Sequence, residues 1–253
     1  MDRGTEQLDQ GASASTGLMT VKATEIVPFD PERISLIRRV LSVAETDLPE
    51  WDPGQTYVYP DGNDGRKQVT VSIGFTADGG NLRKMLDIYV DNVGVFAVQF
   101  LPWITALKAG EPCTDKEFRD LVRSAANDPK FAQIQQQAFD DLYLGPAFAW
   151  GKDHGFALPL SYLVIADSFL HSGSVSSSLR NKFAEKVPQD GGEEKAWTKA
   201  YLLTRRNWLA NHSRDILHAT IYRCDCYLKE VDKDNWDLNE EPLVMNGTAC
   251  YRI

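Results

Sequence analysis

Strand-like alternation in this chain is concentrated in one short stretch, between Gln55 and Phe75. Residues 55–59 and 69–75 read as strands, and a dense turn signal, PDGNDG at residues 60–65, separates them. Helical periodicity dominates the sequence before and after this stretch. The pattern therefore predicts an α+β fold that is mostly helical and contains one small sheet.

The first predicted helix begins at Asp30, which is a suitable N-cap, and Pro31 suits the first helical position. An apolar stripe then leads to Glu45 in the last turn. Residues 1–28 lack apolar periodicity, so we expect a loose tail there and one folded domain over 29–253. Further helices are predicted over 81–90, over 95–107 with an interruption at Pro102, after an N-cap at Thr114, over 134–143, over 159–171 and over 193–210.

Composition limits the partners of this chain. At 253 residues and 43% hydrophobic content it can bury a sizeable core. The 27 Lys and Arg residues against 36 Asp and Glu residues give a net charge of -9, which argues against nucleic acid and favours a polycationic partner. No apolar run approaches the roughly 18 residues of a membrane span, so we expect no membrane insertion.

The cysteines and histidines predict no metal site. Cys113, Cys224, Cys226 and Cys250 lack the second ligand pair of a zinc site, and free thiols are the favoured interpretation. In an oxidising compartment a bridge from Cys250 to Cys224 or Cys226 stays open. The histidines also lack metal-ligand spacing, so no cofactor and no metal are expected.

Two carboxylates stand out as candidate catalytic groups. Glu45 closes a helix and Asp64 lies in a turn before a strand, so the two can face each other across a cleft. Cleavage of a glycosidic bond needs one carboxyl group to protonate the leaving oxygen and another to activate water on the opposite sugar face. Taken alone, however, each residue is commonplace in its position.

The ordered set of motifs around these residues is more specific. It begins with SVAE at residues 42–45 and Trp51, continues through DGR at 64–66 and IGF at 73–75, and ends with Asp167, HSG at 171–173, GGE at 191–193 and residues 201–205. From about residue 33 to 253 the chain thereby resembles the family 46 chitosanases. The resemblance implies a two-lobed, lysozyme-like fold with the small sheet in the minor lobe and the active-site cleft between the lobes.

The resemblance also implies an inverting, endo-acting hydrolase of β-1,4-linked amino-sugar polymers. In it Glu45 is the general acid and Asp64 the general base that acts through water. A buried ion-pair network orients the acid in this family, and Asp167, Arg205 and Arg214 are predicted to form it here. A plain salt bridge between helices is the alternative for Asp167 and Arg205. We regard His171 mainly as a packing or capping residue.

The expected substrate-binding residues are Arg66, Asn81, Tyr57, Asp78 and Thr70. Tyr57 offers an aromatic face for a sugar ring, as do Trp51 and Tyr59. Two positions depart from the family pattern. Val69 occupies the position of a threonine that helps to hold the water, and a bulge is needed for Thr70 to replace it. Asn81 replaces an aspartate that reads the amine of glucosamine, and Asp78 is close enough in sequence to supply the charge instead.

Three hypotheses about function follow. Chitosan is the leading substrate, a peptidoglycan-cleaving toxin or autolysin is the alternative, and an inert glycan-binding protein on the same scaffold is the third. The polar, acidic start of the chain carries no secretory signal. Such polymers nevertheless lie outside the cytoplasm, so we expect secretion or delivery by another route. We also expect a monomer, and an inhibitor or immunity protein stays open as a partner.

Overall fold

The computed structural model describes residues 29–253, and the tail predicted for residues 1–28 lies outside this range. The described chain is mostly helical with two small antiparallel sheets, which confirms the predicted fold class. In chain order the elements are α1 Pro31–Thr46, β1 Thr56–Tyr59, β2 Gln68–Val71, β3 Phe75–Thr76, α2 Asn81–Asp91, α3 Ala97–Lys108, α4 Lys116–Ala125, α5 Pro129–Phe139, α6 Gly145–Asp153, α7 Pro159–Ser172, α8 Ser177–Arg180, α9 Glu194–Ala210, α10 Ile221–Asp232, β4 Leu243–Met245 and β5 Thr248–Cys250.

Helix α1 begins and ends through local signals in its own sequence. The side chain of Asp30 accepts a hydrogen bond from the backbone N–H of Arg33 at 2.8 Å, and Pro31 occupies the first turn, as predicted. The helix ends at Thr46, because the next residue, the C-cap Asp47, has a left-handed backbone with a φ of 62°. Its buried side contacts α7, β4 and β5, so the last turn, which carries Glu45, is anchored in the core.

The first sheet has the order β1-β2-β3, and its register decides which side chains share a face. Tyr57 pairs with Thr70 and Val58 with Val69, one to one along the whole ladder, so β2 contains no bulge. Val69 is fully buried, whereas Thr70 lies on the other face beside Tyr57. The strand predicted over 69–75 is divided in two, because the backbone turns at Ser72 and Gly74, whose φ angles are 47° and 74°.

Helix α3 differs from its prediction. It runs unbroken through Pro102, so the predicted interruption is wrong. Proline removes the helical partner of the carbonyl four residues earlier, which belongs to Val98. Both residues lie on the exposed side of α3, where water can replace the lost bond.

Helix α4 begins one residue later than expected, with Asp115 rather than Thr114 at the N-cap.

Helix α7 lies at the centre of the core. It is buried from Pro159 to Ser168 and contacts α1, α6, α9 and α10.

All four cysteines are buried free thiols, so the structure contains no bridge from Cys250 to Cys224 or Cys226. Among residues 29–253, no helix combines the length and the apolar character that crossing a membrane requires.

Replacement of Pro102 by alanine tests the account of α3. Alanine restores the missing backbone donor without removing a buried contact. We therefore expect P102A to raise the free energy of unfolding by up to about 3 kcal/mol, the usual cost of proline inside a helix. Urea unfolding measures the change, with the neighbouring exposed variant V98A as the control. A P102A protein no more stable than V98A would contradict the account.

Candidate active site

One carboxylate oxygen of Glu45 accepts a hydrogen bond, and the other is free. Its side chain is 18% exposed, and Arg223 from α10 donates to its Oε1 atom. The same guanidinium and the hydroxyl of Tyr222 both donate to the carbonyl oxygen of Ala44, each at 2.7 Å. Among residues 29–253, the Oε2 atom of Glu45 has no hydrogen-bond partner. The carboxyl group is thus oriented by the protein while one oxygen remains available to a ligand.

Arg223 belongs to a buried chain of ion pairs. It donates to Asp167 at 2.8 Å, Arg205 donates to the other oxygen of Asp167 at 2.5 Å, and Arg205 also reaches Nδ1 of His171 at 3.1 Å. Burial alone would raise the pKa of Asp167, but Arg205 and Arg223 outweigh it and hold this pKa well below its usual value. Asp167 therefore stays ionised and fixes both arginines.

Arg214, which was expected in this network, lies outside it. Its guanidinium donates to the carbonyl oxygen of Asp61 at 3.1 Å, and Arg223 occupies the place predicted for it. The sequence carried a signal for Arg223 that the motif comparison missed. In α10 it is four residues before Tyr227 and seven before Glu230, and all three are buried on one helical face. Arg214 instead follows a polar segment and is exposed.

Asp64 lies in a tight turn that exposes its carboxylate. The backbone at Asp64 and Gly65 is left-handed, with φ angles of 55° and 75°, which aspartate and glycine tolerate. Within residues 29–253, no donor hydrogen-bonds the carboxylate of Asp64. The group is therefore well placed to bind a water molecule or a sugar.

Asp78 stabilises the turn that carries Asp64. It accepts a hydrogen bond from the backbone N–H of Asn63 at 2.6 Å and is ion-paired with Arg66. Gly62 makes room for it, because a Cβ atom there would lie 2.5 Å from its carboxylate. The bonds from Arg66 lower the pKa of Asp78, whose side chain is only 6% exposed. Asp78 and Arg66 thus stabilise the turn, and the charge of Asp78 is already neutralised rather than available to a substrate amine.

Asn81 is oriented by Tyr143, a residue that the sequence did not single out. The hydroxyl of Tyr143 donates to the carbonyl oxygen of Gly74 at 2.8 Å, so it accepts a hydrogen bond from the amide nitrogen of Asn81 at 2.7 Å. The amide oxygen of Asn81 is therefore left as an acceptor. Burial raises the pKa of Tyr143; the hydrogen bond from Asn81 opposes this shift, and the negative charge of Glu45 adds to it.

The predicted aromatic residues divide into two groups. Tyr57 stacks on Tyr59 with 5.8 Å between ring centroids, and its hydroxyl donates to the carbonyl oxygen of Thr46 at 3.3 Å. This pair lies on the sheet face that carries Thr70 and is close to the end of α1. Trp51 instead donates to Gln135 at 3.2 Å and packs edge-on against Phe139, so it is a packing residue.

The site contains two carboxyl groups in unlike environments. Glu45 is mostly buried and fixed by an arginine, whereas Asp64 is exposed and unpaired within the described range. Such a difference suits an acid and a base that act on the same bond. No group of three or more metal-ligating side chains occurs among residues 29–253.

A helical fold with a small sheet and two unlike carboxyl groups is typical of lysozyme-like glycoside hydrolases. The sequence profile of Glycosyl hydrolase family 46 matches residues 39–243, which include both carboxylates. The chain belongs to this family, and it is a glycoside hydrolase.

Two relatives and two solved structures illustrate the similarity. The chain is 28% identical to a chitosanase of Bacillus subtilis (strain 168) over 70% of each protein, and 23% identical to a chitosanase of Streptomyces sp. (strain N174) over 93% of this chain and 92% of the relative. A Bacillus subtilis MY002 chitosanase superposes with a TM-score of 0.78 at 24% identity, covering 89% of this chain and 99% of that one. A Gynuella sunshinyii chitosanase in complex with chitotetraose superposes with a TM-score of 0.76 at 22% identity, covering 88% of this chain and 98% of that one.

Conservative replacement of each candidate carboxylate tests its role. E45Q and D64N keep the size and polarity of each side chain but remove its ability to transfer a proton. We expect each to lower turnover of the polymer by at least about a hundredfold, with the melting temperature little changed. The exposed variants E50Q and D91N are matched controls and should retain full activity. Near-normal activity in E45Q or D64N would refute the assignment.

His171 makes stability depend on pH. Burial, followed by the charges of Arg223 and Arg205, lowers the pKa of His171 to about 3. In the unfolded chain this histidine takes up a proton near pH 6.5, whereas in the folded chain it stays neutral until about pH 3. The free energy of unfolding therefore falls by up to about 1.4 kcal/mol for each pH unit between 6.5 and 3. We expect H171Q to lack this part of the slope in urea unfolding at a series of pH values. An identical slope in both proteins would contradict the assignment.

Proposed function

We propose that this protein is an endo-acting, inverting chitosanase in which Glu45 is the general acid and Asp64 the general base. The observation that carries the proposal is the buried ion-pair chain that ends on Glu45, within a chain that belongs to Glycosyl hydrolase family 46. Family membership supplies the reaction class, and the ion-pair chain holds the carboxyl group of Glu45 in one orientation with its second oxygen free.

In the proposed reaction Glu45 gives its proton to the glycosidic oxygen as the bond to the anomeric carbon breaks. The open Oε2 atom is the natural proton carrier, because Arg223 occupies Oε1. Asp64 takes a proton from a water molecule that attacks the anomeric carbon from the opposite face. The new bond forms opposite to the one that breaks, so the configuration at this carbon inverts.

Other residues position the polymer and the catalytic turn in this proposal. The ion pair of Arg66 with Asp78 fixes the turn that carries Asp64. The stacked rings of Tyr57 and Tyr59 offer a surface for a sugar ring, and Thr70 next to Tyr57 offers a hydroxyl group. Asn81 presents its amide oxygen to an N–H group of the substrate.

Chitosan is the substrate that we propose. The net charge of -9 attracts a polycation, and the relatives compared above are chitosanases. Peptidoglycan is less favoured, since only the neutral Asn81 supports it. Because chitosan is an extracellular polymer, we also propose that the protein acts outside the cytoplasm.

Product analysis tests the activity and the mechanism together. We expect the wild-type protein to release glucosamine oligomers from chitosan and nothing from purified sacculi, with E45Q as the inactive control. Proton NMR of the first products should show the α configuration at new reducing ends, since inversion at a β-linkage gives the α anomer. Products in the β configuration would overturn the inverting mechanism, and disaccharide-peptides from sacculi alone would overturn the substrate.

A further inference from the structure

The last turn of α1, which carries Glu45, lacks one of the backbone hydrogen bonds that a longer helix would have. In a longer helix the N–H of Leu48 would donate to the carbonyl oxygen of Ala44. Here that N–H donates to the hydroxyl of Thr46 at 3.3 Å. Among residues 29–253, no backbone N–H reaches the carbonyl oxygen of Ala44. The peptide group just before Glu45 therefore needs a donor from another part of the chain.

Helix α10 supplies two donors to this carbonyl group. The hydroxyl of the half-buried Tyr222 and the Nη2 atom of Arg223 both donate to the carbonyl oxygen of Ala44 at 2.7 Å. The same Nη2 atom also donates to the carboxylate of Glu45. In contrast, the hydroxyl of Tyr222 makes no other hydrogen bond within the part of the chain that the structure describes. Tyr222 thus acts only on the backbone beside Glu45, and it shares the load on the nitrogen that holds the carboxylate.

Tyr222 remains a neutral donor in this setting. Burial raises the pKa of Tyr222; the charge of Arg223 opposes this shift, and the charge of Glu45 adds to it. The hydroxyl therefore keeps its proton at neutral and acidic pH. A further cation at this place would favour the ionised form of the neighbouring carboxyl group, and an ionised carboxylate cannot donate a proton. A tyrosine fixes the carbonyl group without this effect.

We propose that Tyr222 is a positioning residue, which holds the backbone at Glu45 so that the free Oε2 atom points to the glycosidic oxygen. This inference rests on the proposed chitosanase reaction. The other side of the helix end is supported separately, because Asn246 in the turn between β4 and β5 donates to Asp47 at 2.7 Å. The hydroxyl of Tyr222 is used on the backbone, so we expect it to affect the transfer of the proton and not the binding of the polymer.

The test compares Y222F with the wild type on two substrates that differ in their leaving group. A glucosamine oligomer leaves as a sugar alcohol and needs a proton, whereas a β-linked dinitrophenyl chitooligosaccharide leaves as a stable phenolate and needs none. We expect Y222F to lower kcat on the glucosamine oligomer about tenfold with KM unchanged, since one hydrogen bond is lost. Turnover of the dinitrophenyl substrate should stay at the wild-type value, and the melting temperature should fall by at most about 4 °C.

The controls separate this inference from the activity on which it rests. Y251F removes a hydroxyl from an exposed tyrosine and should behave as the wild type. E45Q should show the same selective loss in a stronger form, whereas D64N should lose both substrates, because both reactions need an activated water molecule. Wild-type turnover of the glucosamine oligomer by Y222F, a change in KM alone, or an equal loss on both substrates overturns the role of Tyr222 alone. A wild type that cleaves neither substrate overturns the proposed function and this role with it.

Discussion

The position of Glu45 depends on one buried carboxylate, Asp167. Two guanidinium groups in the core of a protein are tolerated only if a negative charge and good hydrogen-bond geometry compensate for their lost hydration. Asp167 supplies both, because Arg205 and Arg223 bind its two oxygens from two different helices. Arg223 then extends this arrangement to the end of α1. A salt bridge between helices and the positioning of Glu45, the proposed acid, are therefore two effects of the same interaction.

The two candidate catalytic groups obtain their environments from different kinds of structure. Glu45 is at the end of a long helix whose apolar face is packed in the core, and Arg223 fixes its carboxyl group. Asp64 is in a three-residue turn that depends on Asp78 and Arg66 for its shape. A mostly buried Glu45 and an exposed Asp64 on a supported turn fit the unequal demands that the proposed acid and base would meet, namely protonating a leaving group and holding a water molecule.

The sequence predicted those parts of the fold and site that depend on local signals. Asp30 and Pro31 determine the start of α1 within a few residues, and Glu45 follows from the helical stripe. The ion pair of Asp78 with Arg66 was not predictable in this way, because it depends on how a loop folds back over a turn. Arg223 was missed for a different reason: the resemblance to the family suggested Arg214, whereas the buried stripe of α10 indicated Arg223. In this chain the burial pattern of α10 was thus the better guide to the buried arginine.

Long-range attraction and short-range selection of the substrate are separate in this molecule. The net charge of -9 acts over distances of about the Debye length, roughly 8–10 Å, and draws a polycation to the whole surface. Close to the site the charges are mixed, because Asp78 is paired with Arg66 and Asn81 is uncharged, whereas Arg214 faces the carboxylates of Asp61 and Asp64. The long-range field therefore acts on a polymer as a whole, whereas these few side chains act on single sugar units.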